Sequence, residues 1–189
     1  MVEEQSSESS EKHVCRVFAA VVASVQLDRL AGHASTVRQA AHPTHQDIGS
    51  HVPEIGSPIF GSYHALYPVK FSDGACWLYK VPADGTRDKF GQSNARALRS
   101  EALTMRLLKR ETTIPLPEVF AFSDTCDNEL NCPFILMNYI EGKPLYDVWF
   151  DKGSPTEIVR SRRIRTLKDI AAAMVQLDKF SSDQGGSMI

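Results

Sequence analysis

The chain lacks the features that would assign it quickly to several broad classes. Its four cysteines, Cys15, Cys76, Cys126 and Cys132, include no Cys-x-x-Cys pair, which argues against a disulfide scaffold or a zinc ribbon and reads as reduced thiols. Neither charge sign dominates: 21 Lys and Arg face 23 Asp and Glu, for a formal net charge of −2. That balance gives no electrostatic footprint for nucleic acid or an anionic membrane. Long hydrophobic runs are missing too. The apolar stretch from Val14 to Leu27 is interrupted by Arg16 and falls short of the roughly 20 residues that span a bilayer. The first eight residues are acidic and serine-rich, the wrong charge for a signal peptide or mitochondrial presequence. A soluble, cytoplasmic protein is expected.

What is present divides into four parts. Residues 1–12 carry little to bury and read as a disordered tail. Residues 13–58 form a helical extension and linker. Apolar residues recur there at helical spacing from Val14 to Val37, Gly32 is placed to divide two helices, and a His-, Pro- and Gly-rich loop follows from Ala40 to Pro58. Residues 59–142 alternate between strand and helix patterns. His64–Phe71 and Ala75–Val81 flank Ser72-Asp73-Gly74, a hairpin signal because glycine accepts the positive φ of the turn. A helix over Asn94–Lys109 buries Leu98, Ala102, Met105 and Leu108, and strands follow near Glu118–Phe122 and Pro133–Ile140. Residues 143–189 hold a last helix. Ser154-Pro155-Thr156-Glu157 predicts a capping box at its start, an apolar stripe runs from Ile164 to Leu177, and Gly185-Gly186 ends it.

Two charged residues stand in apolar settings. Lys80 lies in the strand run Trp77-Leu78-Tyr79-Lys80-Val81, and Glu101 lies on the buried stripe of the following helix. Each needs a partner for its charge, and each is the obvious partner of the other.

In this order the segments resemble the N-terminal lobe of the aminoglycoside phosphotransferase family, within the protein-kinase-like superfamily, and its fungal members in particular. The likeness runs from Gly61 to about Gly186. It is carried by Gly61-Ser62-Tyr63-His64-Ala65-Leu66-Tyr67, Phe71-Ser72-Asp73-Gly74, Trp77 to Pro82, Ser100-Glu101-Ala102-Leu103, Ile114-Pro115-Leu116-Pro117 and Phe134 to Leu145. The resemblance implies that Gly61, Ser62 and Tyr63 form the bend over the ATP phosphates, although the bend lacks the Gly-x-Gly-x-x-Gly of ordinary protein kinases. It implies that Lys80 reaches the α and β phosphates and that Glu101 holds it there. Met137 would back the adenine pocket. The Asn138 carbonyl and the Ile140 amide would bond adenine, so the Asn138 side chain is expected to matter little.

The family also needs a catalytic aspartate, usually in His-x-Asp, and a second acidic motif for Mg2+. All six histidines precede the hinge. Asp183-Gln184-Gly185 reads as a helix-ending turn, so no catalytic or metal residue is assigned. His42, His45 and His51 lack a cysteine or carboxylate at ligand spacing and read as surface histidines. The basic run Arg160, Arg162, Arg163, Arg165 and Lys168 reads as a solvated helix face.

The expected fold is α+β. It comprises a kinase-like N-terminal lobe (a small antiparallel sheet of about five strands with one packed helix), a helical N-terminal extension, and the first helices of an incomplete C-terminal lobe. The expected function is that of a phosphotransferase fragment truncated before its catalytic loop. It would keep ATP-binding elements and be inactive alone, with Mg2+ belonging only to the full-length family fold. The alternatives are a nucleotide-binding pseudokinase and a protein-interaction module whose partner is unknown.

Overall fold

The computed structural model describes residues 16–41 and 52–180. The tail 1–12, Cys15, the histidines His42, His45 and His51, and the segment Asp183-Gln184-Gly185-Gly186 lie outside the described residues.

Helix α1 covers residues 16–24 and α2 covers Leu27–Ala41. The division falls at Val25 and Gln26, not at the expected Gly32, which lies inside α2. The cause is a hydrogen bond out of the helix: the Gln26 N–H donates to the Leu130 carbonyl at 3.1 Å. Glycine therefore did not set the break. A long-range backbone partner did.

A short strand β1 (Glu54–Ile55) follows where a linker was expected, and β2 (Ile59–Phe60) opens the segment expected to be the lobe. Both pair antiparallel with β3 (His64–Lys70), and their register slips by one residue between Ile55 and Ile59. They are two halves of one edge strand, bent at Gly56-Ser57-Pro58, where proline has no N–H to give a ladder. A turn joins β3 to β4 (Cys76–Pro82), with Gly74 at φ +88°, the left-handed conformation glycine takes without strain.

Helix α3 (Gln92–Glu111) comes next, then β5 (Val119–Ser123), β6 (Phe134–Asn138), the short α4 (Leu145–Trp149) and α5 (Thr156–Leu177). The fold is thus mixed α and β. Its antiparallel sheet has six strands in the order β1-β3-β4-β6-β5, with β2 also on β3.

Both faces of the sheet are covered, and strand alternation explains how. Tyr67, Trp77, Tyr79, Val81, Phe134 and Leu136 point to one face, where Phe18 and Val21 of α1 and Leu30 and Ala34 of α2 cover them. Phe18, Val21 and Leu30 are each at most 2% exposed, and burial of such a side chain contributes about 1.5–3 kcal/mol. The helical extension therefore shares one core with the sheet. The other face carries Ile135 and Val119, met by Leu98 and Ala102 of α3.

Two polar fastenings hold the first layer. The Tyr79 hydroxyl donates to the Leu30 carbonyl at 3.2 Å. Its one proton is thereby used, so the 2.7 Å contact with His33 Nδ1 needs that nitrogen to be the donor. At the hairpin tip, Arg38 of α2 is paired with Asp73 and lies 4.0 Å from the Phe71 ring centroid. The Arg38 hydrogen bond holds the Asp73 carboxyl below the usual carboxylate range.

The last helix differs from its expected start. Pro155 is its N-cap and no side chain caps it, because Ser154 is drawn into a turn around Asp151, which accepts from the N–H groups of Gly153 and Ser154. Nor are all the arginines of the basic run free on a solvated face. Arg162 pairs with Asp151 at 3.0 Å, and Arg163 donates twice to the Trp149 carbonyl, tying α5 to α4. The apolar stripe of α5 stays open, with Ile164, Leu167, Ile170 and Met174 all exposed.

Arg38 is 5% exposed, so Arg38→Ala removes a buried contact as well as a charge pair. The expected loss is about 2 kcal/mol, read as a lowered urea midpoint at unchanged m. A shift indistinguishable from wild type would show that the clamp contributes nothing.

Candidate nucleotide site

Lys80 sits on β4 with its side chain on the α3 face, opposite Leu66 of β3 and Ile135 of β6. Its flanking residues Tyr79 and Val81 point the other way and are fully buried. Glu101 projects from the middle of α3 toward the sheet. The Lys80 ammonium donates to Glu101 Oε1. Lys80's side chain is 19% exposed and Glu101's 40%, so the pair is partly open to water.

These two line a cavity of about 180 Å³ between the sheet and α3, together with His64, Asp84, Asn94 and Phe90. That is room for a phosphate-sized group, well below the roughly 300–1,000 Å³ of a pocket enclosing a drug-sized ligand. Lys80 has three N–H donors, and one is committed to Glu101. Two remain to meet phosphate oxygens, so the donor set fits the anionic end of a nucleotide.

The other residues singled out from the sequence do not line this cavity. Gly61, Ser62 and Tyr63 form the exposed bend between β2 and β3. The bend is fixed at both ends: the Gly61 N–H donates to the His64 carbonyl, and the Ala83 N–H to the Tyr63 carbonyl, each at 2.9 Å. Met137 lies opposite Leu78 and Asn138 opposite Trp77. Ile140 is exposed beyond the strand.

The Asn138 side chain has a partner within the sheet: its Oδ1 accepts the Glu118 N–H, while the Asn138 backbone N–H donates to the Glu118 carbonyl at 3.1 Å. It closes the sheet where β6 leaves it.

Sequence reasoning missed His64, Asp84 and Asn94. Strand alternation could have found His64, since it shares a face with Leu66, the residue opposite Lys80. No comparable signal marked the other two. Asn94 Nδ2 donates to Asp84 across a connector whose fold depends on Gly85, where an added Cβ would lie 2.8 Å from the Pro82 carbonyl oxygen.

The buried thiols are not part of the site. Burial pushes Cys132 up to about 12 and raises Cys126 as well, so neither is a ready thiolate. Among the described residues no group of three or more His, Cys, Asp or Glu side chains comes together to hold a metal. No helix among the described residues is long and apolar enough to cross a membrane.

No protein-family model matches the chain. Curated relatives do. It is 28% identical over 138 residues to altered inheritance of mitochondria protein 9 of Meyerozyma guilliermondii, covering 72% of this chain and 22% of that protein. The protein of the same name in Yarrowia lipolytica is 24% identical, over 66% of this chain and 22% of its own length. A subtelomeric hrmA-associated cluster protein of Aspergillus fumigatus is 28% identical, over 51% of this chain and 18% of its own. The matched segment thus spans about a fifth of the length of these relatives.

Among solved structures, one assigned as a fructosamine-3-kinase from Thermobifida fusca overlaps 49% of this chain and 28% of its own. Its TM-score is 0.32 and its identity 22%. An overlap of that extent fixes neither fold nor chemistry.

The relatives overturn the cytoplasmic expectation, because several are named as mitochondrial proteins. The acidic first residues testify only about themselves. An address is a property of a whole polypeptide and its route.

Burial lowers the basicity of both His33 and His64, with Lys80 adding to the effect at His64. An unfolded chain therefore takes up protons below about pH 6.5 that the folded chain refuses. Stability should fall as pH drops through that range, and His33→Gln or His64→Gln should each flatten the slope. Urea midpoints measured between pH 5 and 8 test the sign, and a rise in stability on acidification would contradict it.

Proposed function

We propose that this chain is a nucleotide-binding lobe of kinase-like type, akin to the aminoglycoside phosphotransferases. ATP lies with its phosphates at Lys80 and beneath the Gly61-Ser62-Tyr63 bend. Its adenine lies toward Met137, taking backbone hydrogen bonds from the Asn138 carbonyl and the Ile140 amide. The observation that carries this reading is the Lys80–Glu101 pair: a strand ammonium held from behind by a helix carboxylate at the rim of a phosphate-sized cavity.

In the parent reaction the γ-phosphoryl group moves to a hydroxyl of a small molecule. No residue of this chain is assigned to take the hydroxyl proton, so the lobe alone binds and positions without transferring. The relatives' names support a mitochondrial setting for it.

A second reading, a protein-docking module, is favoured by the open stripe of α5, with Leu167 55% and Met174 64% exposed.

Thermal unfolding with and without ATP separates the two. ATP at millimolar concentration should raise the midpoint of the wild-type chain, since a ligand that binds only the native state stabilises it. Lys80→Ala should abolish the rise while costing about 1 kcal/mol or less of stability, because the ion pair is partly solvated. No rise in the wild type would sink the nucleotide reading.

A further inference from the structure

The cavity contains one ionisable group that the proposed function leaves unused. His64 opens β3 directly opposite Pro82, and the next row on the same face is Leu66 opposite Lys80. Diagonal neighbours on adjacent strands lie about 7–8 Å apart, within reach of long side chains. The imidazole and the ammonium therefore face one space. Glu101 faces it from α3, and Asp84 faces it from the turn after β4.

The charges in that space do not suit a polyphosphate as they stand. Lys80 supplies one positive charge, already paired, while Glu101 and Asp84 supply two negative ones. With a neutral imidazole the four groups sum to one excess negative charge. One proton on His64 brings them to neutrality.

In the free protein that proton is held off. Burial disfavours the imidazolium most, Lys80 opposes it next, and Glu101 and Asp84 only partly compensate. An arriving phosphate adds a strong attraction for the proton in a partly desolvated space, where charge interactions are larger than in bulk water.

We propose that His64 is a proton-coupled contact for the phosphate end of the ligand. It is neutral in the free cavity, takes a proton from solvent as the phosphates arrive, and donates an imidazole N–H to a phosphate oxygen beside Lys80. This inference rests on the nucleotide reading above. No covalent bond changes; one proton moves from water or buffer to a ring nitrogen. By linkage, one proton taken up per ligand bound makes affinity rise by up to about tenfold for each unit the pH falls within the coupled range.

Calorimetric titration with ATP at pH 7, in PIPES and in Tris, measures the protons taken up from the dependence of heat on buffer ionisation. Wild type is expected to take up more than His64→Gln, by a substantial fraction of one proton. ATP's own phosphate protonation is common to both and cancels. His64→Gln should also lose affinity by up to about tenfold at pH 6 and by less at pH 8. Adenosine should show no such difference.

Equal uptake by wild type and variant, with ATP bound to both, overturns the role of His64 and leaves the nucleotide reading intact. No ATP binding to the wild type at any pH overturns both. Should His64→Gln and His64→Asn fail to fold, the imidazole Cε1–H resonance of the wild type decides. A titration midpoint raised by ATP supports the proposal, and an unmoved midpoint refutes it.

Discussion

An ammonium in the middle of a strand flanked by fully buried neighbours is tolerable only if something receives its charge. In this chain the receiver is Glu101, and that requirement reaches well beyond the pair. It fixes the roll of α3 so that Glu101, Leu98 and Ala102 face the sheet together, the first on Lys80 and the others among Val119 and Ile135. It also sets the ion pair in the wall of the cavity, with one N–H of Lys80 committed to Glu101. Packing on the opposite face holds β4 in place through Trp77, Tyr79 and Val81, so the strand that carries the charge has little freedom to shift.

Features governed by local chemistry were legible from the sequence. Asp73-Gly74 marked the hairpin because a positive φ is a property of one residue, and that residue has it at +88°. The pairing of Lys80 with Glu101 was legible because desolvation restricts the partners a charge can take. Features governed by distant partners were not. The α1–α2 break follows from a hydrogen bond to Leu130, more than a hundred residues away in the chain. The capping box fails because Asp151 competes for Ser154. The first two strands are too short and too proline-interrupted to show a period of two, and they exist because β3 offers them an edge.

The site was legible in part for the same reason. Alternation pointed to Lys80 and helical spacing to Glu101, but the cavity between them is completed by Asp84 and Asn94, brought together by a turn around Gly85 that no periodic signal describes. The compartment was misread for a different reason. Net charge over a few terminal residues is a property of that stretch, whereas the relatives that carry a mitochondrial name are several times longer than the segment shared with this chain.

The clamp between Arg38 and the hairpin tip, with the Tyr79 hydroxyl fastened to Leu30, makes residues 16–41 a structural lid and not an appendage. A piece cut to begin at the first strand, as the outline of a kinase lobe would invite, would bare Tyr67, Trp77 and Tyr79 along one whole side of the sheet. Such a piece would be sticky and prone to self-association. Any excision meant to preserve the Lys80 strand must therefore carry both leading helices with it.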